Sequence, residues 1–425
     1  MSNHPNSRVQ DCGLSPARTR WAIVAILLLL ACSLWHIHIL NRWMERRSDL
    51  LPPWVGARVA LTGGNPYAIS TTQEIQRRYY GDVLPSGGKE KDKQAFAYPI
   101  YTVFFIAPLA WLPWPIARVV FVLVAIPVLA AFSLSWLRVF RSTLSRRQEI
   151  LLLGLVFTSW PMLIALRHQQ LTLLAVVFLS GGSISLARNR PALAGALFSC
   201  AAIKPQAAAL LLLWVMLRAV VLREWRLPTA FAAGITVELL AGTWLRPSWF
   251  HEWLVAIADY HHYTGGSPSL CIFFGHVGGG VLLGGVVLLS LAALWRNFEH
   301  LQQAREIALA ASLLLAITCA LLPTGMAWVY NQTLCLPGCL FVIAVQPHSE
   351  AARLSRSAAI FCLKLNYFLL FCAIIGETVS KPNMGWDFLP YFNLFLPSFI
   401  AVALAMSALT DAPVRASRPQ AVMVG

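Results

Sequence analysis

Charge is scarce in this chain. Asp, Glu, Lys and Arg make up 12% of its 425 residues, against 58% hydrophobic, and only 18 residues are acidic. Soluble domains carry about twice that charged fraction, so a soluble enzyme and a disordered scaffold are both excluded. Short alternating strands are lacking as well, which excludes a transmembrane β-barrel. The nine cysteines form no framework. Most of them, such as Cys32, Cys200, Cys319 and Cys362, lie inside apolar runs, where a thiol behaves as a small hydrophobe. Cys335 and Cys339 stand one helical turn apart, with no nearby His or paired Cys to complete a metal site. No internal repeat of the symmetric-transporter kind is found. Gly278-Gly279-Gly280 opens an apolar helix and lacks the strand that a nucleotide-binding loop requires.

What fills the sequence is apolar runs, most of them about 20 residues long and able to cross about 30 Å of hydrocarbon as a helix. They fall at Trp21–Leu40, Tyr98–Leu112, Ile116–Leu137, Ile150–Leu166, Leu171–Leu186, Pro191–Leu222, Pro228–Leu245, Val277–Leu294, Ile307–Leu322, Trp328–Val345, Ala358–Ile375 and Phe388–Leu409. The fold class expected is an all-α polytopic membrane protein of about 12 (11–13) spans. A tail over 1–20 precedes one transmembrane domain over 21–409, and a second tail covers 410–425. The first run is too long for a signal-peptide core and no small-residue cleavage site follows it, so it reads as a retained span.

The net charge of +15 fits basic loops held on the cytoplasmic side and touching anionic lipid, and it requires no nucleic acid. Two hydrophilic segments are long enough to build a site outside the bilayer, 41–97 and 246–276. Arg8, Arg18 and Arg20 keep the N-terminal tail inside, which puts both segments outside. Between them the charges conflict. If Tyr98–Leu112 and Ile116–Leu137 both cross, Arg138, Arg141, Arg146 and Arg147 are exported. A second reading lets part of Tyr98–Leu137 re-enter at the Pro113-Trp114-Pro115 break and splits the long run at Lys204-Pro205. Arg167-His168-Gln169-Gln170 and Lys204 then face outward beside the two long loops, and this arrangement is the preferred one.

Asp49 is the candidate catalytic residue. It lies just past the outer end of the first run, where a continuing helix would put Glu45 and Asp49 on one face, with Arg42, Arg46 and Arg47 around them. A carboxylate at the bilayer surface can take the proton of an acceptor hydroxyl; a plain juxtamembrane ion pair is the alternative. Pro52 to Leu61 reads as a short amphipathic helix lying flat at the interface, starting at proline and ending before Gly63-Gly64. Asn65-Pro66-Tyr67 follows as a turn. Lys204, among alanines and leucines, is costly unless it pairs, faces water or touches a lipid phosphate, or snorkels at a helix end. His261 and His262, in the second loop, lack the spacing of a metal site.

Taken in order, these segments resemble glycosyltransferase family 87. The matching stretches are Ser48-Asp49, then Ala57 through Arg58-Val59-Ala60-Leu61-Thr62-Gly63-Gly64-Asn65-Pro66-Tyr67, then Phe96-Ala97-Tyr98-Pro99 leading into Ala107 to Pro113. His168-Gln169-Gln170-Leu171-Thr172 follows, resembling the family's Gly-Gln-x-Asn turn, and Ala194 through Lys204-Pro205 to Glu224-Trp225-Arg226 completes the set. Two departures stand out: His168 and Gln170 occupy that turn, and Trp328-Val329-Tyr330-Asn331 lacks the histidine that mannosyltransferase relatives carry.

The resemblance implies a C-type glycosyltransferase bundle with its active site on the outer, periplasmic face of a bacterial inner membrane. It implies transfer of a hexose, often mannose, from a polyprenyl-phosphate donor to a lipid-linked or periplasmic glycan acceptor, with inversion. Asp49 takes the place of the presumed general base. Arg46, Arg47, Asn65, Tyr67, Tyr98, His168, Gln169, Lys204, His261 and His262 are the substrate-binding candidates. No cofactor is implied, and any divalent metal requirement stays open. The alternatives are a transporter or flippase of lipid-linked sugars, a lipid-diphosphate-glycan polymerase or ligase, and an inactive structural homologue.

Overall fold

The computed structural model describes residues 48–85, 92–264, 266–297, 302–323, 329–379 and 395–410, with positions 20, 23, 27 and 300. The expected tails, most of the first span, and Glu45, Arg46 and Arg47 lie outside the described residues. So do the side chains of His261 and His262.

Among the described residues the regular structure is helical, apart from one isolated bridge between Pro268 and Pro323. In chain order the helices are α1 (Leu51–Leu61), α2 (Ile69–Tyr80), α3 (Thr102–Ala110), α4 (Trp114–Val139), α5 (Arg146–Phe157) and α6 (Trp160–Arg167). They continue with α7 (Thr172–Ala187), α8 (Pro191–Cys200), α9 (Pro205–Val221), α10 (Arg226–Leu245), α11 (Trp249–Thr264) and α12 (Ser269–Arg296). The last are α13 (Ala304–Leu321), α14 (Leu336–Ala344), α15 (Glu350–Val379) and α16 (Leu396–Thr410). Turns of 3₁₀ helix lie at Ala201–Ile203 and Val329–Cys335.

Local sequence explains the boundaries. Proline occupies the first turn of α1, α4, α6, α8, α9 and α14, where its missing N–H costs nothing and its fixed φ suits the helix. Ser145 and Gln148 close a reciprocal capping box on α5. Four helices end on a residue in the left-handed region: Arg141, Gln169, Asn189 and Arg223, with φ of 55°, 48°, 57° and 53°. In each, the next amide reaches back to the carbonyl five residues earlier, as Gln170 N does to Ala165 O at 2.9 Å and Glu224 N to Ala219 O at 2.8 Å. This is a Schellman closure, usually built on glycine. Here it turns the chain on residues with full side chains.

Three helices, α4, α12 and α13, are long and apolar enough to cross a membrane, and α5 with α6, bent by 58° at the break between them, makes a fourth if the pair is one span. Five shorter apolar segments, over 172–187, 191–203, 205–221, 329–344 and 396–410, fill out the bundle. The described helices thus establish an all-helical membrane protein with three to four clear spans. Tyr98–Leu112 does not form a full crossing. Its helix, α3, has 9 residues, a rise of about 14 Å, and it packs on α1. The long run at Pro191–Leu222 is broken at Lys204, whose φ of −133° and ψ of 73° separate α8 from α9.

The flat amphipathic helix expected over Pro52–Leu61 is instead an interior one. Leu51, Trp54, Val55, Ala57 and Ala60 are all buried. Apart from Arg58 its composition is apolar all round, which is the pattern of a covered helix. The divided helix is α2, with Ile75 and Gln76 inward and Arg77 and Arg78 exposed.

Packing is close where glycine allows it. A Cβ on Gly195 of α8 would stand 2.3 Å from the Leu227 carbonyl oxygen of α10, and one on Gly234 would stand 2.1 Å from Ser199 Oγ. In α12, Gly275 at φ 71° breaks the helix, and its first turn folds back until Gly279 has room for no Cβ, with Cys271 Cα 2.3 Å away. Within the Gly278-Gly279-Gly280 run, Gly279 is therefore the packing position.

Candidate active site

The two helical breaks and the two hydrophilic segments meet at one end of the bundle. Asp49 sits in the turn that opens α1 and not on a continuing helix. Its amide donates to the His168 carbonyl at 2.9 Å, and its Oδ2 accepts from the Gln170 side-chain amide. Ser48 Oγ donates to Gln169 Oε1 at 2.7 Å, and Arg118 Nε donates to the same oxygen at 3.2 Å. The left-handed Gln169 thus turns its amide into the wall beneath Asp49, while Gln170 meets the carboxylate.

Lys204, released from helical geometry, donates to Thr172 Oγ1 and to Asn331 Oδ1, the latter at 2.8 Å. Thr172 Oγ1 donates to the same Asn331 oxygen at 3.0 Å. The ammonium also stands 5.4 Å from the centre of the Tyr330 ring, a cation–π distance. The interior lysine is held by two polar groups and an aromatic face.

Burial first, then the nearby Asp92 carboxylate, raise the Asp49 pKa to about 7, against the opposing pull of Lys204. Asp49 as a whole residue keeps an intermediate share of its surface open. Tyr98, Tyr260 and Tyr330 share the field of this cluster. Asp92 is fixed by the backbone and side chain of Gln94, at 2.9 and 3.0 Å, with Gln94 itself left-handed at φ 53°. Burial raises the Asp92 pKa as well. The His168 ring is pushed down to about 4 by burial, then by Arg167 and Arg118. Its Nδ1 is buried without a partner among the described residues.

The second hydrophilic segment covers this end. Lys93 Nζ pairs with both oxygens of Asp259 on α11, at 2.8 and 2.9 Å. Glu252 of α11 takes both edges of the Arg246 guanidinium and accepts from Asn65 Nδ2 at 3.4 Å. Tyr67 is tied to Asn65 Oδ1 through its amide at 2.9 Å and to the Tyr98 carbonyl through its hydroxyl at 2.7 Å.

Of the sequence candidates, Asp49, Tyr98, His168, Gln169 and Lys204 are brought together. Asn65 and Tyr67 form a rim joined to them through Tyr98. His168 contributes its carbonyl, and Gln169 meets Ser48 and Arg118 in place of Asp49. Sequence reasoning alone does not find Asp92, Thr172, Asn331, Tyr330 or Arg118. Asp92 lies in Lys89-Glu90-Lys91-Asp92-Lys93, which reads as a solvated charge run. Tyr330 and Asn331 stand far along the chain, in a segment notable in the sequence only for the histidine it lacks. A small cavity lined by Trp214, Asn297 and Glu306 lies elsewhere and holds none of these groups. No cluster of His, Cys, Asp or Glu able to hold a metal occurs among the described residues.

Apolar helices that gather a carboxylate, amides and an amine at one end define a membrane protein with a polar site. A family model, that of glycosyltransferase family 87, matches residues 96–324, more than half of the 425 residues, and the chain belongs to this family. Its reaction class is accordingly glycosyl transfer, with a sugar donor and an acceptor as substrates. The matched stretch contains Tyr98, the His168–Gln170 turn and Lys204; Asp49 and Asn331 join the site through their contacts alone. No curated protein and no solved structure matches the chain.

Proposed function

We propose that the protein transfers a hexose from a polyprenyl-phosphate donor to a lipid-linked or periplasmic glycan acceptor, with Asp49 as general base. The acceptor hydroxyl oxygen bonds to the anomeric carbon as the bond from that carbon to the phosphate oxygen breaks. The hydroxyl proton passes to Asp49, and the phosphate leaves on its lipid. A single displacement of this kind inverts the anomeric centre. The observation that carries the reading is Asp49 itself, a carboxylate held by Gln170 whose pKa near 7 suits proton abstraction at neutral pH. Lys204, within the field of Asp49, favours the anionic side of the exchange.

A lipid-linked donor is supported by the position of the site among short helices beside apolar, exposed faces of α4 and α10. The outer face of a bacterial inner membrane is supported by charge. Arg138, Arg141, Arg146, Arg188, Arg190, Arg223, Arg226, Arg296 and Arg353 stand at or beyond helix ends remote from Asp49 along their helices, the cytoplasmic pattern.

The test compares wild type with Asp49→Asn in membranes given radiolabelled polyprenyl-phosphate hexoses, following glycosylated product and released lipid phosphate. Transfer by wild type and its loss in the variant at equal expression is expected. Consumption of no donor by wild type would overturn the reading and direct attention to flux of lipid-linked sugars.

A further inference from the structure

The 3₁₀ turn Val329–Cys335 is seven residues long, where such runs rarely exceed about four, and three consecutive side chains at its start each hold a different part of the site. Val329 is buried against Trp160 and Ile164 of α6, the helix that runs into the His168–Gln170 turn. Asn331 accepts from Lys204 and from Thr172 of α7. Between them, Tyr330 packs on the same α6 cluster and presents its ring face to the Lys204 ammonium at 5.4 Å. Contacts on both sides fix the ring, and with it the direction of the hydroxyl.

The proposed chemistry does not use that hydroxyl. It accepts from the side-chain amide of Gln170, the same amide that donates to Asp49 Oδ2. A glutamine amide carries two N–H donors on one nitrogen; here one is turned to the base and the other to the phenol. The edge of an amide that faces a carboxyl decides which form is favoured, because an N–H stabilises the anion and the amide oxygen stabilises the protonated acid. Gln170 is buried, so its second N–H needs an acceptor from the protein. An orphaned buried N–H is tolerated less well than an under-satisfied oxygen, and without the hydroxyl the amide gains by reversing.

We infer that Tyr330 is a positioning residue whose hydroxyl, by accepting from Gln170, keeps the N–H edge of that amide toward Asp49 and so favours the ionised base. The inference rests on the transfer reading for its purpose and adds to it the residue that orients the partner of the base. The charged and titratable groups that act with Asp49 are Asp92 and Lys204, with Tyr98 and Tyr330 in its field. Tyr330→Phe changes one hydroxyl among them and keeps the ring on Lys204.

The full-length protein in detergent is titrated across neutral pH by infrared difference spectroscopy, for wild type, Tyr330→Phe, Gln170→Leu and the double variant, with Asp49→Asn identifying the Asp49 carboxyl band by its loss. The Asp49 midpoint of Tyr330→Phe is expected about 0.5 to 1 pH unit above wild type, the scale of one hydrogen bond. Gln170→Leu is expected to raise the midpoint as well, and Tyr330→Phe added to Gln170→Leu to raise it no further. Where transfer is detected, Tyr330→Phe lowers kcat at neutral pH by roughly 3- to 10-fold, moves the pH limb with the infrared midpoint and leaves the donor KM unchanged. A wild-type midpoint in Tyr330→Phe, or a shift of equal size with and without Gln170, overturns the inference. If Tyr330→Phe elutes as an aggregate, Gln170→Leu decides, and an unmoved midpoint there overturns the inference too. Wild type that transfers no sugar while the midpoint still moves through Gln170 would sink the transferase reading and leave this coupling standing.

Discussion

At the scale of the residue, the proposed general base Asp49 carries its own pH signature. A carboxyl with a pKa near 7 is mostly protonated at pH 6 and mostly ionised at pH 8. Transfer should therefore rise with pH through a limb near 7, where an ordinary Asp would give a flat profile above about 5. Asp92→Asn removes one of the two influences that raise this value and should move the limb to lower pH without abolishing transfer; a pH–rate profile of kcat/KM checks both. Asp49→Asn should lower kcat by about 100-fold or more, the range of general-base catalysis. The same shift bears on stability. The folded state holds this proton more tightly than the unfolded chain, so the cost of ionising Asp49 is absent below about pH 4 and complete above about pH 7. Asparagine removes that cost and keeps an oxygen for Gln170. Thermal melts of Asp49→Asn should match wild type at low pH and lie above it at pH 8.

Elements set where these residues stand, and glycine decides how closely one of those elements packs on itself. The first turn of α12 returns onto Gly279, and the nearest neighbours of a Cβ there are backbone atoms of Leu270 and Cys271, which cannot swing aside. Gly279→Ala should lower the melting temperature by several degrees and reduce folded yield, whereas Gly284→Ala, with nothing within 4 Å of its Cβ, should not; fluorescence-detected size exclusion of heated samples separates the two. Much at this scale is legible in the sequence, because prolines, the Ser145 cap and the Lys204-Pro205 break are local signals. The amphipathic helix is harder to place. Pro52 to Leu61 carries Arg58 and lies in a polar loop, which suggests an interfacial helix, but its cover comes from α3, which only tertiary packing supplies. The polar division of α2 is written in Glu74, Ile75, Arg77 and Arg78, within a stretch polar enough to pass for loop.

Across the whole molecule, the alternation of helices sends the Asp49 turn, the His168–Gln170 turn and the Lys204 break to one end, and Ser142, Asn189 and Arg223 to the other. Single cysteines at Thr62 and Ser70 should react with an impermeant maleimide added to intact cells, and those at Ser142 and Asn189 only after permeabilisation. Reversed labelling would invert the orientation. The shared location of the two hydrophilic segments is readable from their length and charge, and in the proposed orientation a short α3 that does not cross would keep Arg138 to Arg147 inside. The site's membership is half readable. Asp49 and Lys204 stand out because a charge near or in an apolar run is costly, while Asn331 and Thr172 are ordinary residues until folding puts them on that lysine.

That lysine has a history within each molecule. Lys204 leaves the ribosome well over a hundred residues before Asn331, one of its two hydrogen-bond acceptors, and an ammonium within an apolar run is costly until it is paired. A nascent chain halted between them holds an amine in or near lipid with that acceptor still unmade. The enzyme's polar end is thus completed late in biosynthesis, and chains truncated before residue 331 should be recognised by membrane quality control as unfinished even though most of their helices are in place.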